Sequence, residues 1–265
     1  MIKLGVNSVL FRKYDFVTAA KYIRAAGYDG VEISAIKGMC EHLDLDRWSG
    51  QAQDLKRVMD DYNLEFLSTE VASLDADRLL PAFAACAALG IPIVNVGPGG
   101  KSDVEEDFRL SIDRIRKMAA KAREFGVTLC VKAHVGGAIY NTPTTLRAVE
   151  LIGAENIGID MDPSHIHRAG ENPAEALSQV IGHVRHIHIR DCRGQGPGPG
   201  NPRDQACGRG DIDLPAYCRS MVDGCYEGPV CLEVIGPESE LVDAAIIAAE
   251  SYGYLHACLR SLGAR

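Results

Sequence analysis

Hydrophobic residues in this chain fall into short runs, each followed by a longer stretch with helical periodicity. Ile2–Val9 reads as a first strand, and Asp15–Ala26, closed by Gly27, as its helix. Further strands are expected at Gly30–Ser34, Leu64–Val71, Ile91–Val96, Val127–His134, Ile157–Asp162, Val184–Arg190 and Pro229–Ile235. Between and after them the pattern predicts helices at about Gln51–Tyr62, Asp75–Leu89, Val104–Phe125, Thr142–Ile152, Pro173–Ile181, Leu214–Asp223 and Glu238–Leu262. Gly90 and Gly126 stand as helix stops, Asn141 or Thr142 as an N-cap, and Pro173 in a first turn. Pro163 cannot continue a central strand, so the sixth strand should leave the sheet there.

Short apolar strands alternating with helices imply parallel strands and right-handed crossovers. Eight such units, with no break in composition, predict one (β/α)8 TIM barrel domain over residues 1–265. A dinucleotide-binding sheet lacks support, because no GxGxxG follows the first strand. The GPGG of Gly97–Gly100 is too short for a phosphate loop and reads as a turn.

Composition narrows the partners. A chain of 265 residues with 46% hydrophobic and 24% charged residues is ordinary for a globular domain. The net charge of −8 argues against nucleic acid or an anionic membrane as partner. No apolar run approaches the roughly 18 residues of a bilayer span. Nine scattered cysteines without a CxxC pair fit a reducing compartment. Met1-Ile2-Lys3 running directly into a strand reads as no signal peptide, so a cytoplasmic protein is expected.

Active sites of TIM barrels lie at the C-terminal ends of the strands. The polar residues there are Asn7, Glu32, Glu70, Asn95, Lys132 with His134, Asp160 with Asp162 and His165, His186 with His188, and Glu233. One alone would be a solvated or capping residue. A set converging on one mouth is harder to dismiss, since each buried charge needs a partner or a metal. Asp160 and Asp162 are two apart and share a face of an extended chain. His186 shares a face with His188 but lies deeper, as a core histidine or a partner to a ligand. Asp191 and Arg193 sit beyond the seventh strand, where they could hold substrate hydroxyls or a phosphate; an Arg there is as often structural. Trp48 could wall a sugar ring or simply pack its loop. The Gly- and Pro-rich segment Gly194–Gly210 is too long for a connector and is expected to form a lid or rim, with a neighbouring subunit of a homo-oligomer as one possible contact.

DPSH (Asp162–His165), HIHIRD (His186–Asp191), GRGDID (Gly208–Asp213) and CLEVIG (Cys231–Gly236), in this order, resemble the sugar phosphate isomerase/epimerase family of xylose-isomerase-like TIM barrels. The resemblance covers essentially the whole chain. It implies one divalent metal ion, with Asp162, His188 and Glu233 among its ligands, and His165 in contact with substrate. The fifth strand departs from the family pattern, because CVKAHVGG places Lys132 where a Glu ligand is usual. His134, two residues on, is the candidate replacement; an imidazole there would favour Zn, Mn or Co over Mg. The alternative is that Lys132 pairs with Asp160 or Glu70 and no metal binds.

The function so implied is a metal-dependent isomerase or epimerase of a keto sugar, working through an enediolate. Glu233 is the candidate base, Lys132 or His134 the candidate acid, and Glu70, His165, Asp191, Arg193 and Trp48 the substrate contacts. A dehydratase of a keto sugar or inositol, an endonuclease IV-like nuclease and a non-catalytic sugar-binding barrel are the alternatives.

Overall fold

In the computed structural model, which describes residues 1–265, eight parallel strands close on themselves. In chain order they are β1 (Leu4–Asn7), β2 (Gly30–Ile36), β4 (Glu65–Ala72), β5 (Ile93–Val96), β6 (Thr128–Lys132), β7 (Ile157–Asp160), β8 (Val184–Ile189) and β9 (Val230–Leu232). β1 pairs with both β2 and β9, which closes the barrel. The remaining strand, β3 (Cys40–Glu41), folds back antiparallel on β2, with Ile36 opposite Cys40. Gly38 turns this hairpin at φ +75°, a conformation that glycine adopts without steric cost. The hairpin was not expected: its two residues carry too little alternation to register as a strand.

The helices are α1 (Phe16–Ala26), α2 (Trp48–Asp61), α3 (Ala76–Leu89), α4 (Glu105–Glu124), α5 (Thr142–Ile152), α6 (Pro163–Arg168), α7 (Pro173–Val180), α8 (Leu214–Asp223) and α9 (Leu241–Ser261). The expected barrel is therefore present, as a single domain. One continuous core of 68 buried residues joins the strands to the helices and leaves no second core for another domain. No helix is long and apolar enough to cross a membrane.

Local chemistry sets the ends that matter. β1 stops at Asn7 because its side-chain oxygen accepts the Val9 N–H and caps a 3-10 turn, Ser8–Phe11. β7 stops at Asp160, two residues before the expected end. Asp162 then caps α6 by accepting the Ser164 N–H at 2.8 Å, with Pro163 in the first turn where its missing N–H costs nothing. Asn141 caps α5 in a reciprocal arrangement with Thr144.

The Gly194–Gly210 segment, expected as a lid or rim, is tied down by hydrogen bonds along its length. Asp191 accepts N–H groups from Cys192, Gly208 and Ile212, and the Gln205 amide exchanges hydrogen bonds with the Ile235 backbone. Arg168 and Gln195 tie its start to α6. These bonds fasten the segment to α6, to Asp191 beyond β8 and to the backbone beyond β9.

Candidate active site

The C-terminal ends of the strands carry two tiers of polar side chains. The lower tier is fully enclosed. His186 Nδ1 lies 2.9 Å from Asp160 Oδ1 and its Nε2 lies 2.9 Å from Ser68 Oγ. His188 Nε2 contacts Glu32, whose other oxygen accepts from Asn95 at 2.5 Å. His188 Nδ1 is 2.6 Å from Asp160 Oδ2 but off the line of a hydrogen bond. Burial opposes charge on His188, but Asp160 and Glu32 outweigh it and hold its pKa well above the imidazole range. The same pairing keeps both carboxylates ionised, against the cost of their own burial. His186 is thus the satisfied core histidine that its depth suggested.

The upper tier forms the floor of the mouth. Lys132 Nζ donates to Glu233 Oε1 at 2.9 Å and to Glu70 Oε1 at 3.1 Å, with Asp160 Oδ2 at 3.9 Å. Asn7 donates to the second Glu70 oxygen at 2.6 Å. Arg190, fully buried, places Nη2 2.7 Å from Asp162 Oδ2 and 3.2 Å from Glu233 Oε2. Its Nε donates to Ser164 Oγ, and its Nη1 has no acceptor. His165 meets Arg190 at Nε2, and Arg168 and the Val135 N–H at Nδ1. Its pKa is pushed well down by burial and then by Arg190, so His165 is a neutral ring that accepts at one nitrogen and carries its N–H on the other.

Two carboxyl groups on one ammonium are driven apart in acidity. Burial, and then the Glu233 charge, push Glu70 up to about 8, against the pull of Lys132. Burial works against Glu233 too, but Lys132 and Arg190 hold it well below the usual carboxylate range. At neutral pH the pair is therefore one acid and one base beside a fixed cation.

Above this floor opens a cavity of about 510 Å³. Glu70, Lys132, His134, His165, Arg190 and Glu233 supply its polar lining, and Ile36, Met39 and Ile235 an apolar side. The expected turn Gly97–Gly100 forms part of its rim.

Among the residues singled out from the sequence, Glu70, Lys132, His134, His165 and Glu233 come together here, with the His134 and His165 rings 4.0 Å apart. Asp162 and His188 lie beneath the floor and do not line the cavity. Trp48 begins α2 and packs against the core, so the apolar wall expected of it falls to Ile36 and Met39. Arg193 is exposed and bonded to Asp204 and the Arg209 carbonyl, and Asp191 is spent on loop N–H groups. The residue passed over was Arg190. A signal for it existed: His186, His188 and Arg190 recur every second residue, so all three point into the barrel.

Three buried groups come close enough to hold a divalent ion: Glu32, Glu70 and His188; Asp160, His186 and His188; and Glu32, His186 and Cys231. All belong to the lower tier or its border, where an ion would first have to break the pairings of His186 or His188 with Asp160 and Glu32. The set expected from the resemblance is occupied differently. Arg190 bridges Asp162 and Glu233, and Lys132 bridges Glu233 and Glu70. A divalent ion about 5 Å from the ammonium would be repelled by roughly 7 kcal/mol at an effective dielectric near 20. The residues of the mouth, as they stand, do not fit a divalent ion.

A sequence model of the xylose isomerase-like TIM barrel family matches residues 20–258. An inosose dehydratase of Clostridium perfringens is 24% identical over 141 residues, covering 49% of this chain and 48% of the relative. The chain thus spans about half the length of that curated relative. Among solved structures, a zinc-bound IOLI protein superposes with a TM-score of 0.79 at 19% identity, over 98% of this chain and 99% of the other. The D-allulose 3-epimerase of Methylomonas sp. gives 0.77 at 15% identity, over 97% and 98%. At such identities the structural likeness shows the fold alone. With closed barrel, mouth and matched sequence together, the chain belongs to the xylose isomerase-like TIM barrel family.

Proposed function

We propose that this protein is an enzyme that removes water from a keto sugar or cyclic keto polyol through an enediolate. The reading rests on one observation above all, the placement of Glu70 and Glu233 in the cavity floor at 3.1 and 2.9 Å from the one ammonium of Lys132, with Glu70 pushed up and Glu233 held down in pKa. Such a pair marks an acid and a base. Glu233, ionised, takes the proton from the carbon beside the carbonyl, and the electron pair moves onto the carbonyl oxygen. Lys132 and Arg190 hold that oxygen as its charge grows, in a site already oriented for it. Collapse of the enediolate expels the neighbouring hydroxyl, which leaves as water with the Glu70 proton. Glu233 ends protonated and Glu70 ionised, and proton exchange between these neighbours restores the start.

Elimination suits the geometry because both carboxyl groups reach one ammonium and so serve one side of the substrate. Epimerisation needs a proton donor on the opposite side, and that role would fall to His134, whose pKa is lowered by burial and by Lys132. The name of the Clostridium perfringens relative adds support for dehydration and for an inosose-like substrate. Isomerisation shares the enediolate and is the second reading. The acidic balance of the chain weighs against a nuclease.

The test is turnover of inososes and keto sugars in D2O followed by NMR. Dehydration predicts loss of one hydroxyl; in Glu70→Gln, exchange of the neighbouring carbon-bound hydrogen should persist while elimination falls at least ~100-fold, the typical weight of a general acid. Deuterium at the carbon with every hydroxyl retained in the wild type would establish isomerase or epimerase chemistry instead. Binding without exchange would mean a sugar-binding barrel.

A further inference from the structure

We propose that Lys132 takes the part of a divalent cation in this mouth, so that proton abstraction here proceeds on side-chain cations alone. The inference rests on the enolising reaction proposed above, but its central measurement needs no substrate.

Three observations carry it. Lys132 ends β6 in register with Asp160 of β7, and its Nζ reaches Glu233 at 2.9 Å and Glu70 at 3.1 Å. It therefore occupies the space among carboxylates from three other strands. Second, the charges are already matched: Arg190 spans Asp162 and Glu233, which leaves neither carboxylate free of a cation. Third, an ammonium has three N–H donors. Two are used on Glu70 and Glu233, and Asp160 at 3.9 Å is beyond hydrogen-bond reach. Lys132 lines the cavity, so the remaining N–H is available to a ligand there.

The chemistry differs from chelation. A metal ion binds two neighbouring oxygens of a keto sugar and withdraws charge from both. One N–H of Lys132 holds a single oxygen, and the adjacent hydroxyl must find Glu70 or Arg190. This arrangement selects substrates whose carbon–hydrogen bond is already acidic, such as a ketone with hydroxyls on both flanking carbons. Before substrate reacts the lysine is an ammonium, because burial, which favours the neutral amine, is outweighed by the carboxyl groups it donates to, Glu233 first.

The test is calorimetry and thermal unfolding with Mn²⁺ and Zn²⁺ on wild type, Lys132→Glu and Lys132→Met, with plasma mass spectrometry of each protein as purified. The wild type should hold less than ~0.1 equivalent of metal, show no unfolding shift with 1 mM ion, and, where turnover is found, keep it in EDTA. Lys132→Glu, which adds a carboxylate where the cation stood, should bind about one ion per chain and rise in Tm on adding it; Lys132→Met should do neither. A stoichiometric ion in the wild type whose removal by EDTA abolishes turnover or lowers the Tm would overturn the proposal. So would a folded Lys132→Glu protein as indifferent to metal as Lys132→Met. If Lys132→Glu does not fold, the wild-type metal content and Tm still decide. A metal-indifferent wild type that acts on no keto sugar sinks the proposed reaction and leaves the cation assignment standing.

Discussion

Replacing Lys132 by Met shortens the side chain by one atom and removes the charge that holds the mouth together. Glu233 and Glu70 lose donors at 2.9 and 3.1 Å, and Asp160 loses an ammonium at 3.9 Å, all in buried surroundings. Stripping one partner from a buried ion pair costs about 3–5 kcal/mol, because the other is left uncompensated. At roughly 2–4 °C per kcal/mol for a domain of this size, the Tm should fall by about 6–20 °C. The loss should depend on pH, and the sign is set by Glu233. In the wild type its pKa is depressed, so its contribution is present above the unfolded value near ~4.3 and is lost only as pH falls through the lower folded value. Without Lys132, burial and the neighbouring Glu70 act against Arg190 alone, and the folded pKa rises. A raised value contributes stability below ~4.3 and loses it as pH increases. The gap between wild type and Lys132→Met should therefore already be open at pH 5, where wild-type Glu233 contributes in full, and widen further by pH 8 as the variant loses stability, measured by urea unfolding at both. An equal loss at the two pH values would refute the reasoning, by showing that the methionine disturbs packing and not charge.

Other expectations follow from the same contacts. Turnover should decline about tenfold per pH unit above pH 8, where Glu70 surrenders the proton it must donate, with no acid limb from Glu233 between pH 5 and 7; a pH–rate profile that peaks above 9 would remove Glu70 as the acid. Gly210→Ala would bring a Cβ to 2.2 Å from Asp191 Oδ1 and 2.3 Å from the Cys192 carbonyl, and should destabilise the protein by about 1–3 kcal/mol in urea titrations. Arg193→Ala should leave turnover within about twofold of wild type, since this side chain is exposed and bonded within its own loop; a tenfold loss would return Arg193 to the substrate.

The alternation of strand and helix was legible in the sequence because it is written in local periods of two and 3.6 residues and in caps such as Asn141, all decided within a few residues of chain. Eight repeats of that alternation were enough for the barrel, and the barrel in turn located the mouth at Glu70, Lys132, His165 and Glu233. The fate of those residues was not legible. Whether Lys132 meets Asp160, Glu70 or Glu233 depends on the stagger of strands far apart in sequence. That stagger is set by closure of the whole sheet, which no local pattern encodes. Tertiary structure alone turned Asp162 to Arg190, sank His188 onto Glu32 and Asp160, and fastened the Gly194–Gly210 segment through Asp191 and Gln205. The sequence by itself determined which charges gather at the barrel's end; the closed barrel decided how they pair, because pairing is a matter of distances between strands that only folding brings together.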